Sequence, residues 1–170
     1  MDSELDDFET LSTSDTEGVS PKKKGLSLKA RAIGVLSRRE NSRLELQRKL
    51  APHASNAAEL EELLNSLERE NWLSNERFAQ SLVNRRASRQ GASRIVQELR
   101  QHGVPDEDIA QLNQQLRSTE VERARVVWEK KYGQAPADAK AYAKQFRFLA
   151  SRGFSADCLR RILGDQPQSD

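Results

Sequence analysis

From residue 28 onward the apolar side chains recur at helical spacing, and no stretch shows the two-residue alternation of a half-buried strand. Leu28, Ala32, Val35 and Leu36 form one stripe, Leu46 and Leu50 a second, and Leu60, Leu63, Leu64 and Leu67 a third. Phe78, Ala79, Leu82 and Val83 begin a second set, which continues with Ile95, Val96 and Leu99 and then Ile109, Leu112 and Leu116. Ala124, Val127 and Trp128, then Tyr142, Phe146 and Leu149, then Leu159, Ile162 and Leu163 make a third set. Nine helices are therefore predicted, three to a set.

Polar punctuation falls between the stripes. Ser42 with Glu45 three residues on is a capping-box pattern, in which hydroxyl and carboxylate each satisfy a free amide. Ser74 and Ser155 are predicted N-caps, and Thr119 with Glu122 repeats the capping pattern. Gly91 is expected to end the helix of Phe78, with Ser93 opening the next. Gly103 suits a left-handed helix terminus. Pro105 fits a first helical turn, and Asp106, Glu107 and Asp108 suit the positive end of the helix dipole.

The three sets are related. A step back of about fifty residues from Ile95, Leu99, Ile109, Leu112 and Leu116 lands on Leu46, Leu50, Leu60, Leu63 and Leu67. A similar step forward from Leu99, Gly103, Val104, Ile109 and Leu112 lands on Leu149, Gly153, Phe154, Leu159 and Ile162. The register slips elsewhere, since Gly103 steps back onto Ala54 and Ile95 forward onto Gln145. The fold class expected is all-α, an elongated curved array of three tandem three-helix repeats. Repeats are placed at 26–71, 72–117 and 118–164, between a disordered acidic arm over 1–25 and a polar tail over 165–170.

Composition agrees with an array in which each helix buries only one stripe. The 170 residues are 36% hydrophobic and 32% charged, with the single cysteine Cys158 and no apolar run long enough to span a bilayer. No membrane association, a reducing cytoplasm and a monomer are expected.

Charge changes the picture further. Asp2, Glu4, Asp6, Asp7, Glu9, Asp15 and Glu17 fall within the first seventeen residues, which hold no lysine or arginine. Removing those seven negative charges from the net +2 leaves +9 on the rest. A basic body points to a polyanion or an acidic protein surface as partner, and an acidic arm could compete for that surface in cis or simply aid solubility.

Little suggests an enzyme. A phosphate-binding glycine loop, the His-Glu-x-x-His pattern and paired cysteines of zinc spacing are all missing, so no cofactor or metal is expected. His53 and His102 each precede a helix end, where a charge interaction explains them better than ligation. Cys158 reads as a small semi-buried thiol. Glu40, Glu45 and Glu98 could ligate a metal only if they converged, and they fall at capping or exposed positions.

The arginines carry more. Arg85, Arg86 and Arg89 lie on one helix and Arg94 and Arg100 follow after Gly91, so a basic ridge wraps the junction. Arg38, Arg39 and Arg43, with Arg48 and Lys49, do the same in the first repeat. Flexible cations on one face suffice for contact with DNA phosphates, although a solvated helical face has the same pattern. Arg86 lies beside the Phe78 and Leu82 stripe, where its stem can cover the core while its head pairs with an acid. Trp72, Phe78 and Trp128 fall at helix-packing positions, so no stacking platform for single-stranded bases is indicated.

Three segments carry a family resemblance: SRRENSRLELQRKL (37–50), LERENWLSNERFAQSLVNRR (67–86) and RIVQELRQHGV (94–104). With them the chain resembles the RecX family of recombinase regulators over about residues 28–163. The family's Arg-Glu-x-Ser element is matched by Arg39, Glu40, Asn41 and Ser42, and its Arg-Phe-Ala element by Arg77, Phe78 and Ala79. Asn75 and Glu76 stand where an aspartate is often found, and Gln90 where an extra glycine is often found. The resemblance implies three tandem three-helix units. It also implies binding to the RecA recombinase filament, on single- or double-stranded DNA, and inhibition of its ATPase and strand exchange.

Overall fold

A computed structural model describes residues 25–167; the acidic arm, except for Gly25, and the last three residues of the polar tail lie outside them. The described residues form an all-α array. Helices α1 (Leu28–Leu36), α2 (Arg43–Leu50) and α3 (Ala57–Arg69) make the first unit, with a 3-10 turn at Ala51–His53. Helices α4 (Asn75–Arg86), α5 (Ala92–Gln101) and α6 (Asp106–Ser118) make the second, and α7 (Glu120–Lys131), α8 (Ala139–Ala150) and α9 (Ala156–Leu163) the third.

Each unit buries its own stripes. Leu46, Leu50, Leu64 and Leu67 close the first cluster together with Ala32, Leu60 and Leu73. Phe78, Leu82, Ile95, Leu99, Ile109 and Leu116 centre the second. Ala124, Leu149, Phe154, Cys158 and Leu159 make the third. Among the described residues the interior is divided into these three clusters, as expected when stacked supersecondary units each contact their neighbours.

The helix starts follow local chemistry. Ser27, Ser42, Asn56, Ser74, Asp138 and Ser155 each accept a hydrogen bond from an amide three residues on, relieving one of the helix's unpaired donors. Several sequence expectations are corrected. Glu45 does not complete a capping box: its carboxylate turns to Arg39 and lies 3.5 Å from Lys49, because charged donors outcompete a backbone amide. Thr119 caps nothing at the start of α7. Its backbone is already near-helical (φ −107°, ψ 2°), so its hydroxyl points back towards the carbonyls of Gln115 and Leu116, each 3.4 Å away.

The second helix pair also differs. Helix α4 stops at Arg86, before Gly91, and Gly91 rather than Ser93 is the N-cap of α5. Two carbonyls freed in this loop are taken by Arg123, which donates to Ala87 at 2.8 Å and Gln90 at 2.6 Å and also to Leu116, near the end of α6, at 2.9 Å. A tertiary contact from α7 thus fixes a boundary that local propensity left at the glycine. Pro105 is the N-cap of α6 and not within its first turn.

The unit junctions repeat one device. The amide of Arg43, first residue of α2, donates to Asn75 Oδ1 at 2.9 Å, and Asn75 is the first residue of α4. One unit on, the amide of Ala92, first residue of α5, donates to Glu120 Oε1 at 3.0 Å, and Glu120 is the first residue of α7. An arginine in the following turn then reaches into the preceding unit's loop: Arg77 to Glu40 at 2.9 Å, Arg123 to the carbonyls named above.

Candidate nucleic-acid interface

The second junction is closed by backbone on backbone. The Gly91 amide donates to the Arg152 carbonyl at 2.8 Å. A Cβ at Gly91 would sit 2.2 Å from the Gly153 carbonyl carbon and oxygen, closer than any side chain tolerates. Gly153 itself has φ +86°, and a Cβ there would meet the Arg94 backbone nitrogen at 2.7 Å. Only glycine at both positions lets the α4–α5 and α8–α9 loops touch.

Bringing those loops together creates a cleft of about 640 Å³ between the second and third units. Arg86, Arg89, Arg94, Lys130, Lys131 and Arg152 line it around the apolar Val127 and Phe148, and no carboxylate is among its lining residues. Arg94 donates to the Ser151 carbonyl at 2.9 Å, which orients its guanidinium without neutralising it. The Arg152 guanidinium lies 3.8 Å from the Phe148 ring centroid, and the Lys131 ammonium 5.9 Å. Phe148 therefore fixes cations and does not offer a bare face to a base.

The eight arginines singled out by sequence divide into two groups. Arg38, Arg85 and Arg89 are exposed and form no ion pair among the described residues, and Arg94 is held only through a carbonyl. The others hold the fold's own acids. Arg43 binds Glu68 at 2.7 Å and Asn65 at 2.8 Å and contacts Glu61, tying α2 to α3. Arg86 grips Glu98 through Nε at 3.1 Å and Nη2 at 2.9 Å, the pairing its position predicts. Arg100 meets Asp106 at 3.1 Å. Arg39 binds Glu45; burial alone would push that carboxyl up, but the Arg39 hydrogen bond with the Arg39 and Lys49 charges holds it below the usual carboxylate range.

Sequence reasoning missed Lys130, Lys131 and Arg152. The one local signal was the Lys-Lys pair at the end of α7, which a helix dipole also explains. That these residues face Arg89 and Arg94 follows only from the Gly91 and Gly153 contact.

Other candidates are accounted for by structure. His102 packs its ring 5.1 Å from that of Phe78. Trp72 is 43% exposed, contrary to its expected packing role, because the chain turns at Asn71 (φ 60°) between α3 and α4. Trp128 is tethered by Nε1 to Gln145 Oε1 at 2.7 Å. Cys158 is buried, and burial first, then the nearby Glu120 charge, push its thiol up to about 11. Glu40, Glu45 and Glu98 each pair with an arginine, and among the described residues no group of three His, Cys, Asp or Glu side chains could hold a metal. No described helix is long and apolar enough to cross a membrane.

Comparison with known proteins follows the same architecture. Residues 74–112 match the family described as "RecX, second three-helix domain", and residues 118–163 match "RecX, third three-helix domain". A regulatory protein RecX of Ralstonia nicotianae is 52% identical over 151 residues, covering 84% of this chain and 95% of the relative. Another from Ralstonia pickettii is 54% identical over 138 residues, covering 81% and 87%. The crystal structure of RecX from Lactobacillus salivarius superposes with a TM-score of 0.69 at 22% identity, over 79% of this chain and 91% of that one, a likeness of fold.

Proposed function

The chain belongs to the RecX family of regulatory proteins, and from that premise we propose that it is a non-enzymatic modulator of the RecA recombinase. It binds the recombinase filament on DNA and lowers ATP hydrolysis and strand exchange. The observation that supports this reading is the cleft between the second and third units, where six cations converge, Arg86 paired with Glu98 and the other five with no carboxylate partner among the described residues.

Such a cleft follows a phosphate backbone by counterion release and carries no base readout of its own. Cations already paired within the fold contribute less, because DNA would have to displace Glu98 from Arg86 or Glu61 and Glu68 from Arg43. The contact set is therefore Arg89, Arg94, Lys130, Lys131 and Arg152, with Arg38 and Arg85 as exposed outliers.

The test is recombinase ATPase measured with stoichiometric and with strongly substoichiometric amounts of this protein. Inhibition at either ratio supports the reading, and inhibition well below stoichiometry indicates action at filament ends. A second reading, a helical DNA-binding protein with no recombinase partner, draws on the same cleft. It would show as salt-sensitive DNA binding with no change in ATP hydrolysis.

A further inference from the structure

We propose that the acidic segment 2–9 of this chain docks in its own basic cleft and competes there with nucleic acid. The inference uses the cleft described above but does not depend on the recombinase. Segment 2–9 reads DSELDDFE and carries Asp2, Glu4, Asp6, Asp7 and Glu9, with Leu5 and Phe8 set among them. The cleft carries the complement: five cations that form no ion pair among the described residues, arranged with Arg86 around Val127 and Phe148. Anionic and apolar groups interleaved on one side match cationic and apolar groups interleaved on the other.

The arm supplies a long tether. Fifteen residues lie between Glu9 and Gly25, where the described residues begin. Such a stretch spans at most about 55 Å at ~3.3–3.6 Å per residue. Asp15 and Glu17 have a shorter one: Glu17, eight positions before Gly25, reaches only about 28 Å. They are flanked by Ser14, Thr16 and Gly18, whereas Leu5 and Phe8 stand among the acids of segment 2–9. Acids interleaved with large apolar side chains therefore occur at the start of the arm and not at its base. Tethering makes the contact intramolecular, with an effective concentration set by how well the tether's length matches the span.

Two full-length variants separate these claims: D2N/E4Q/D6N/D7N/E9Q, and D15N/E17Q as a control of the same tether. In amide NMR spectra at low salt, the first should shift the signals of Arg89, Arg94, Lys130, Lys131, Phe148 and Arg152 relative to the parent, and the second should leave them in place. If the arm fills the cleft nine-tenths of the time, the first variant binds a short oligonucleotide about tenfold more tightly, a gap that closes as salt rises. Unchanged cleft signals in the first variant, or equal shifts from the control, overturn the docking and leave the proposed function intact. Cleft shifts with unchanged oligonucleotide affinity support the docking and overturn phosphate binding at this cleft instead.

Discussion

Ala92 and Glu120 join the second and third units through one hydrogen bond of 3.0 Å, between the first amide of α5 and a carboxylate only 3% exposed. The other oxygen of Glu120 accepts from the Ser155 hydroxyl at 2.7 Å and from Arg117 at 3.2 Å. One carboxylate thus holds the starts of α5 and α9 against α7, and no water is needed to satisfy it. Glu120→Ala leaves a buried amide and hydroxyl without that acceptor, so a loss on the order of 3 kcal/mol is expected in chemical denaturation. Glu120→Gln, which keeps an acceptor, should lose less. Equal losses would mean that the charged carboxylate with both its acceptor oxygens, and not one acceptor or the side-chain volume, holds this junction.

Gly91→Ala should be harmful for a different reason. Its Cβ would meet the Gly153 carbonyl, which is backbone and cannot swing aside. Overpacking of this kind costs about 1–3 kcal/mol. Hydrogen exchange should show faster opening around 87–94 and 150–155 while the first unit keeps its protection.

Phe78 is 1% exposed at the centre of the second cluster. Phe78→Ala is expected to cost about 3–5 kcal/mol. A loss below about 1 kcal/mol would be inconsistent with that burial.

Arg43 and the cleft cations should separate in experiment. Arg43→Ala breaks contacts to Glu61, Asn65 and Glu68, so it should lower stability by roughly 1–2 kcal/mol and leave the salt dependence of DNA binding unchanged. Replacing Arg89, Lys130 and Lys131 by alanine should do the reverse. Each lost phosphate contact flattens the log-log salt slope by about one, while exposed cations without partners contribute little to stability. A parental slope in the triple variant would place the phosphate contacts elsewhere.

Cys158 gives a pH signature. Its folded thiol titrates at about 11, above the ordinary value near 9.0, so the neutral thiol is favoured by the fold. That contribution is fully present below about pH 9 and is lost as pH rises through about 11. Stability of the parent should therefore fall across this window more steeply than that of Cys158→Ala, and iodoacetamide should label the thiol at neutral pH only after unfolding.

The fold was largely legible in the sequence because each helix buries a stripe of its own unit. Leu46, Leu64, Phe78, Ile95 and Leu159 all occupy the interiors that their spacing indicates. Caps were legible where the residue acts on its own helix, as at Ser42, Ser74 and Ser155. Reading failed where a distant residue intervenes. Arg123 takes the carbonyls that follow α4, Arg39 takes Glu45 from its cap, and Glu120 supplies the acceptor at the start of α5, where Ser93 was expected. The candidate site was half legible for the same reason. Arg85, Arg86, Arg89, Arg94 and Arg100 read as one ridge, but local sequence does not say that Arg86 and Arg100 are paired or that Arg152 stands opposite Arg89.

The separation of the interior into three clusters sets an order in time. The first closes with Leu73, the second with Leu116 and the third with Leu159, so a chain leaving the ribosome has all the partners of one cluster before it starts the next. At about 5–20 residues per second, each unit has seconds in which to settle alone. The junctions come later: Ala92 waits for Glu120, and Gly91 waits for Gly153. Synthesis therefore completes the helical bodies first and the cleft last, and a nascent chain stalled between Leu116 and Gly153 should protect the second unit from protease while lacking the basic site.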